Sequence, residues 1–349
     1  MKNNLLKTVS VNTSKKYDVL IGKGLIDKAG EKIKEIISPC KCTIITDDVV
    51  DSLYSERVIN SLKNSGFDVV KFVFKNGEES KNILTFAEIL EFLAENELTR
   101  TDLIVALGGG VVGDISGFSA GTYLRGIKYV QIPTTLLAGI DSSVGGKTAI
   151  DLMHGKNLAG VFYQPSLVIC DVDTFSTLPS DVLEGGMGEV SKYVVLDKNI
   201  YSLIKGGNYD IEDLVYLSVD YKKRIVEADE FEGGMRKLLN FGHTIAHGIE
   251  RLSNYKIPHG IAVAMGVRII LEKSLKHGYI DTSVYQDLIG VVDLCVGKRQ
   301  APYKIEDIAT ASLTDKKRKG DYISFMMAYG VGDVREVKVN VCDIKEFLK

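Results

Sequence analysis

The 349-residue chain lacks several features, and each absence removes a class of function. No apolar run approaches the roughly 18–20 residues that span a bilayer, so no membrane helix is expected. Met1 to Asn4 precede only a short apolar pair, not a secretory signal core. Cysteines are few and odd in number: Cys40, Cys42, Cys170, Cys295 and Cys342. Their spacing builds neither a zinc ribbon nor a disulfide framework, which points to a reducing, cytoplasmic setting. Cys40 and Cys42 form only a CxC, read as the entry to a buried strand. The formal net charge of −3 leaves no basic field to draw nucleic acid. The basic run Lys316-Lys317-Arg318-Lys319 is local and reads as a solvated loop. Internal repeats and low-complexity linkers are absent as well.

The remaining composition is that of a folded protein. A hydrophobic fraction of 45% and a charged fraction of 26% suit a globular chain long enough for two domains. Tyr17–Gly22 reads as a strand, and Leu25, Ile26, Ala29, Ile33, Ile36 and Ile37 then recur at helical spacing. Cys42–Thr46 is a β-branched run of the buried, parallel kind, ending at Asp47-Asp48, where an α/β sheet presents acids to a ribose. A helix over about 50–65, a strand over Val69–Phe74 and a helix over about 82–96 follow. The last turns Ile83, Phe86, Ile89, Leu90 and Leu93 inward. This alternation predicts a Rossmann-like α/β domain over residues 1–178. Pro179 then disfavours helix at the residue before it, with Ser180 or Asp181 able to cap what comes next. Residues 179–349 read as a mainly α-helical domain with a terminal hairpin over 323–341 and a short last helix. The two halves are expected to pack closely and hold a site between them.

The stretch 102–165 organises the chain. Asp102–Leu107 is an apolar strand, Gly108-Gly109-Gly110 a tight turn, and Val111-Val112-Gly113-Asp114 the opening of a helix. That order lets backbone N–H groups approach a pyrophosphate at the positive end of a helix dipole. The spacing is not GxGxxG, and a ligand-free αβ turn would also need glycines. A second strand, Tyr129–Ile132, ends in Pro133-Thr134-Thr135. Beyond it lie Asp141–Lys147 and His154-Gly155-Lys156-Asn157, whose two lysines in glycine-flanked turns suit a phosphorylated polyol.

The second half adds a metal-like set. Glu189 sits in Gly186-Met187-Gly188-Glu189-Val190, and three of the five histidines, His243, His247 and His259, fall between residues 243 and 259. One carboxylate with imidazoles is a usual shell for catalytic Zn²⁺. His243 and His247 share a helix face, although the motif is not HExxH. Helix-surface or core histidines are the alternative reading, and the clustering favours the metal.

GGGVVGD, TYLRG, PTTLLAGIDSSVGGKTAI and GKNLAGVFYQP, in this order, resemble the 3-dehydroquinate synthases, and the resemblance runs on into the C-terminal third. It implies a metal, Zn²⁺ or Co²⁺, held by Glu189, His243 and His259, with His247 facing the substrate and Lys192 one turn after the glutamate. Lys147, Lys156, Asn157, Lys222, Arg236 and Asn240 match substrate-binding positions, as does one of Lys316 and Lys317. Arg125 matches an arginine contributed across a homodimer interface. NAD would be held by Asp47, Glu78, Lys81, Gly109, Gly110, Val111, Asp114, Thr134, Thr135, Asp141 and Ser142, with Lys147 and Lys156 adjoining. So many cations suit a substrate carrying both phosphate and carboxylate.

The implied reaction converts 3-deoxy-arabino-heptulosonate 7-phosphate to 3-dehydroquinate and phosphate, a step of the shikimate pathway. It runs through oxidation, elimination, reduction and aldol closure, with NAD regenerated in each turnover. Departures are small: Gly188 stands where the family usually has Ala, HTIAHGIE exchanges the small residues of HTIGHAIE, and Ser191 and Val194-Val195 replace more usual residues. Two enzymatic rivals remain. One is another sugar-phosphate cyclase, opposed by the intact Lys222, Arg236, Asn240 and His247. The other is a metal-dependent polyol or glycerol-phosphate dehydrogenase, which would consume NAD stoichiometrically. A non-catalytic NAD-binding module would have no reason to retain the metal set and the lysines.

Overall fold

A computed structural model describes residues 6–313 and 321–349. Its chain divides into two compact units, one reaching to Leu178 and including Lys222–Glu230, the other formed by Pro179–Tyr221 and Phe231–Lys349.

The first unit is built on a seven-stranded sheet. Its strands are β1 (Lys7–Asn12), β2 (Lys16–Gly22), β3 (Lys41–Asp47), β4 (Asp68–Phe74), β5 (Leu103–Gly108), β6 (Lys128–Pro133) and, after an intervening ribbon, β9 (Leu167–Asp171). Their order is β1-β2-β9-β6-β5-β3-β4, parallel throughout except for the β1–β2 hairpin. β5 is buried along its whole length, as a parallel strand covered on both faces must be. Successive side chains alternate between two cores: Leu103, Val105 and Leu107 join Ile33, Val58 and Leu62, while Ile104 and Ala106 join Ile89, Leu93 and Ile115. From β3 the chain steps to β4 on one side, then returns to build β5 and β6 on the other. The switch point therefore lies between β3 and β5, with Asp47 and Gly108 at the carboxyl ends that flank it.

The ribbon is the antiparallel pair β7 (Lys147–Leu152) and β8 (Gly155–Phe162). It packs on helix Gly110–Thr122, which presents glycines at every fourth position. A Cβ on Gly117 would stand 2.4 Å from Thr148 Cγ2, and one on Gly121 2.8 Å from Val161 Cγ2. On Gly113 it would meet Gln131 Oε1 of β6 at 2.8 Å. Only a bare helix face admits both neighbours.

The second unit is mainly helical, with helices Ser180–Leu196, Lys198–Gly206, His243–Leu252, His259–Lys276, Thr282–Val296 and Ile305–Ser312. Helix Ile211–Ala228 begins here, although its residues from Lys222 onward group with the first unit. Strands β10 (Tyr322–Gly330) and β11 (Asp333–Asn340) form the terminal hairpin, and Ile344–Leu348 is the last helix. Helices Ser180–Leu196 and His259–Lys276 cross on glycine: a Cβ on Gly260 would lie 1.8 Å from the Gly185 carbonyl, and one on Gly188 2.1 Å from that of Gly260.

Several local expectations need correction. Ile36 and Ile83 are exposed at 49% and 53%, Ile83 because it opens the helix that Asn82 caps and precedes the face carrying Ile89 and Leu93. Neither Ser180 nor Asp181 caps its helix; Pro179 holds the cap position and Ser180 is already helical. Lys147 and Lys156 are strand residues, not turn residues. They stand at opposite ends of the ribbon, about 14 Å apart along the strands.

Candidate active site

At the switch point the backbone is set up for an anion. β5 runs through Gly109, which is extended, into helix Gly110–Thr122, whose first amides have no side-chain cap. These amides and the helix dipole attract negative charge. Side chains would close the approach: a Cβ on Gly109 would stand 3.0 Å from Thr135 Cγ2, and one on Gly110 3.2 Å from Ser142 Oγ. Val111 follows in the first turn. Thr134 N donates to the Gly108 carbonyl at 3.0 Å, pinning the β6 end beside the glycines. Its hydroxyl is buried without a hydrogen-bond partner among the described residues. Across the switch point, Asp47 caps the turn after β3, with Oδ1 accepting from Val49 N at 3.0 Å and Val50 N at 2.9 Å. This cradle fits a dinucleotide.

A charged cluster surrounds Lys81. Its ammonium donates at 2.6 Å to both Asp114 Oδ2 and Asn157 Oδ1, and lies 4.0 Å from Glu78 Oε1. Glu78 also faces Lys156, with Nζ at 3.7 Å. Burial works against the charge on Lys81, but Asp114 and Glu78 outweigh it and hold the ammonium above its ordinary range. Burial pushes the Asp114 carboxyl up, only partly offset by Lys81. Asn157, with φ 54°, is anchored by its N–H to Asp151 Oδ1 at 2.7 Å. Nearby in sequence to the cradle, Asp141 accepts from Lys222 Nζ through its carbonyl at 2.6 Å and through its carboxylate.

In the second unit, three helices bring Glu189, His243 and His259 together, with one ligand atom from each within 4.8 Å of the others. Glu189 Oε1 lies 3.5 Å from His243 Nε2 and 3.1 Å from His259 Nε2. Behind the rings, His243 Nδ1 faces the Phe241 carbonyl at 3.2 Å and His259 Nδ1 faces Glu250 Oε2 at 3.2 Å. Each imidazole is thus oriented with Nε2 toward the common point, as outer partners do for metal-binding histidines. Burial opposes the Glu189 charge, but Lys192, 2.8 Å away, and His243 hold it well below the carboxylate range. Burial lowers His243 to about 4, leaving a neutral imidazole. It works against a charged His259 too, yet Glu189 and Glu250 raise that ring to about 10, so a metal would displace a proton there. One carboxylate and two imidazoles, preoriented and partly charge-compensated, fit a divalent cation with open positions.

His247, one turn along the helix from His243, keeps its ring centroid 6.0 Å from that of His243 and 6.2 Å from that of His259, and is not one of the three converging residues. Arg236 is buried on the turn Met235–Asn240, and Asn240 Nδ2 donates to Glu232 Oε1 at 2.8 Å. Arg125 is exposed at the end of Tyr123–Arg125, with no hydrogen bond or ion pair among the described residues. Lys316 and Lys317 lie outside the described residues. Sequence reasoning missed Glu250: its signal was a carboxylate three residues after His247, legible only once the His259 helix is seen to pack beside it.

A Gly-rich switch point in an α/β unit and a carboxylate–dihistidine group in a helical unit suit the class of enzymes that use a dinucleotide and a divalent metal. The family models for the 3-dehydroquinate synthase N-terminal and C-terminal regions match residues 71–185 and 186–318. The 3-dehydroquinate synthase of Streptococcus thermophilus (strain CNRZ 1066) is 40% identical over 346 residues, covering 95% of this chain and 97% of its own. The chain belongs to the 3-dehydroquinate synthase family. Its fold is also that of a 2-deoxy-scyllo-inosose synthase in complex with carbaglucose-6-phosphate, NAD⁺ and Co²⁺, with a TM-score of 0.86 at 23% identity, covering 98% of this chain and 99% of that one. A 2-epi-5-epi-valiolone synthase from Streptomyces hygroscopicus with NAD⁺ and Zn²⁺ bound gives 0.86 at 24% identity, covering 97% and 98%.

Proposed function

We propose that the protein converts 3-deoxy-arabino-heptulosonate 7-phosphate to 3-dehydroquinate and phosphate, using NAD and one divalent metal. The observation that carries this reading is the convergence of Glu189, His243 and His259, in a chain whose curated relatives bear the name of that activity over nearly their full length. When bound, NAD supplies a hydride acceptor and the metal supplies Lewis acidity toward a hydroxyl. This chain's residues bind and orient. The Gly109–Val111 amides receive the pyrophosphate, Thr134, Thr135 and Ser142 wall it, and Asp47 lies on the ribose side. Glu78, Lys81, Asp114 and Asp141 complete the nucleotide surroundings. Lys147, Lys156, Asn157, Lys192, Lys222, Arg236, Asn240 and His247 bind the substrate's phosphate, carboxylate and hydroxyls, holding one reactive conformer. Lys192 also keeps Glu189 ionised as a ligand. The enzyme works as a cytoplasmic homodimer in which Arg125 reaches the neighbouring site. No helix among the described residues is long and apolar enough to cross a membrane.

The test is an incubation with the heptulosonate phosphate, Zn²⁺ and a trace of NAD. Phosphate and 3-dehydroquinate should appear in equal amounts over many turnovers per NAD. NADH accumulating in step with substrate consumption would favour a dehydrogenase instead.

A further inference from the structure

Glu230 closes the Lys222–Glu230 segment of the first unit and has no part in the sites described so far. Its Oε1 accepts from Ser14 Oγ at 2.6 Å and from Gln164 Nε2 at 2.8 Å, while Oε2 accepts from Ser14 N at 2.8 Å. One carboxylate therefore ties the β1–β2 turn to the link between β8 and β9. The Gln164 end of this tie is buried and fills the space left by Gly146, where a Cβ would stand 2.7 Å from Gln164 Cδ. Gly146, at φ +65°, is the residue before Lys147, and its carbonyl accepts from Tyr163 N at 2.7 Å. At the other end of the segment, Lys222 reaches Asp141. The neighbouring Glu227 accepts from Asn12, through its N–H at 2.7 Å and its Nδ2 at 3.0 Å, and among the described residues has no hydrogen bond to Gln164.

We propose that Glu230 is a positioning residue that sets the placement of Lys147 and Lys222. The proposal rests on the reading of these lysines as substrate-binding. A lysine is a flexible stem with high rotamer entropy, so its value to a bound anion depends on where its backbone is held. Glu230 fixes the base of the ribbon through Gln164 and Gly146, and fixes the Lys222 segment directly.

Glu230→Gln keeps the volume but loses the charge and one acceptor, and Gln164→Ala cuts only the link to Gly146. Glu227→Gln is the control for a general loosening of the β1–β2 turn. The expected result is a rise in KM for the heptulosonate phosphate of about tenfold in Glu230→Gln. Gln164→Ala should do the same, and the double variant should be no worse than about the larger single effect. NAD affinity and melting temperature should match those of Glu227→Gln, whose KM stays near wild type. If KM in Glu230→Gln stays within about twofold of wild type, or follows the melting temperature equally in both glutamate variants, Glu230 is only a strut and the proposal falls. A wild-type protein that releases no phosphate would overturn the functional reading instead. Binding of inorganic phosphate by calorimetry, weakened in Glu230→Gln and unchanged in Glu227→Gln, would then still decide the positioning role, and equal binding in both would reject it.

Discussion

Glu250 stands behind His259 with its Oε2 3.2 Å from Nδ1, while Nε2 of the same ring faces Glu189 at 3.1 Å. The imidazole is held between two carboxylates, one that would share a metal with it and one that fixes its tautomer. Outer partners of this kind usually contribute 10–100-fold to metal affinity. Glu250→Ala should therefore weaken Zn²⁺ binding by about 10–100-fold in a chelator competition, with the helical circular dichroism retained. Unchanged affinity would mean that Glu250 serves only to pack helix His243–Leu252.

His247 is the control for the three-residue metal set. Its ring lies near both His243 and His259 but outside the converging trio. His243→Ala and His259→Ala should lose stoichiometric metal on dialysis. His247→Ala should keep it and lose turnover. Equal metal loss in all three variants would reject the three-residue ligand set.

Gly188 lies where helices Ser180–Leu196 and His259–Lys276 cross, and the structure gives a reason for glycine there. A Cβ there would lie 2.1 Å from the Gly260 carbonyl oxygen, a backbone atom that no rotamer change can move. Ala is worth about 1 kcal/mol over Gly in a helix interior, but overpacking of this kind costs about 1–3 kcal/mol, so the clash should win. Gly188→Ala is expected to lower the urea midpoint and also to weaken metal binding, because Glu189 and His259 sit beside the crossing. A stabilised variant would show that the two helices separate freely.

Legibility varied with the physical origin of each feature. β3 and β5 were plain in the sequence because strands covered on both faces are continuous apolar runs, and the Gly-rich turn was plain because few residues suit it. The helical half was legible from its period. Burial at helix ends was not: Ile36 and Ile83 fit the period, yet lie beyond the packed face. The glycines at 113, 117 and 121 carry no signal of their own in the sequence, yet their spacing serves a helix that receives β6 and the ribbon at close range. Glu250 and Glu230 act on partners that are far from them in sequence or unremarkable in it, so no local pattern marks either one. The strand β1 was missed because its short polar-alternating run carries little apolar signal.

Arg125 offers the sharpest test of assembly. Leu124 and Arg125 are consecutive non-glycine residues at positive φ, 49° and 67°, before Gly126 at 119°. Such backbone costs of order 1–3 kcal/mol per residue and persists where something else is served by it. Here it turns out an exposed guanidinium that meets no partner among the described residues. A site on a second copy of the chain would use it, and an isologous dimer would place one such arginine at each of two sites. A solvated surface arginine is the alternative, contributing at most about 1 kcal/mol to stability and nothing to catalysis. Arg125→Ala and Lys147→Ala should each be poor enzymes, the first through its neighbour's site and the second through its own. Mixed one to one with random exchange, half the dimers are heterodimers, each with one doubly damaged site and one intact site. Activity should return to about a quarter of the wild-type value. With exchange verified by mass-tagged subunits, activity that stays at the level of the separate variants would place Arg125 outside the partner's site.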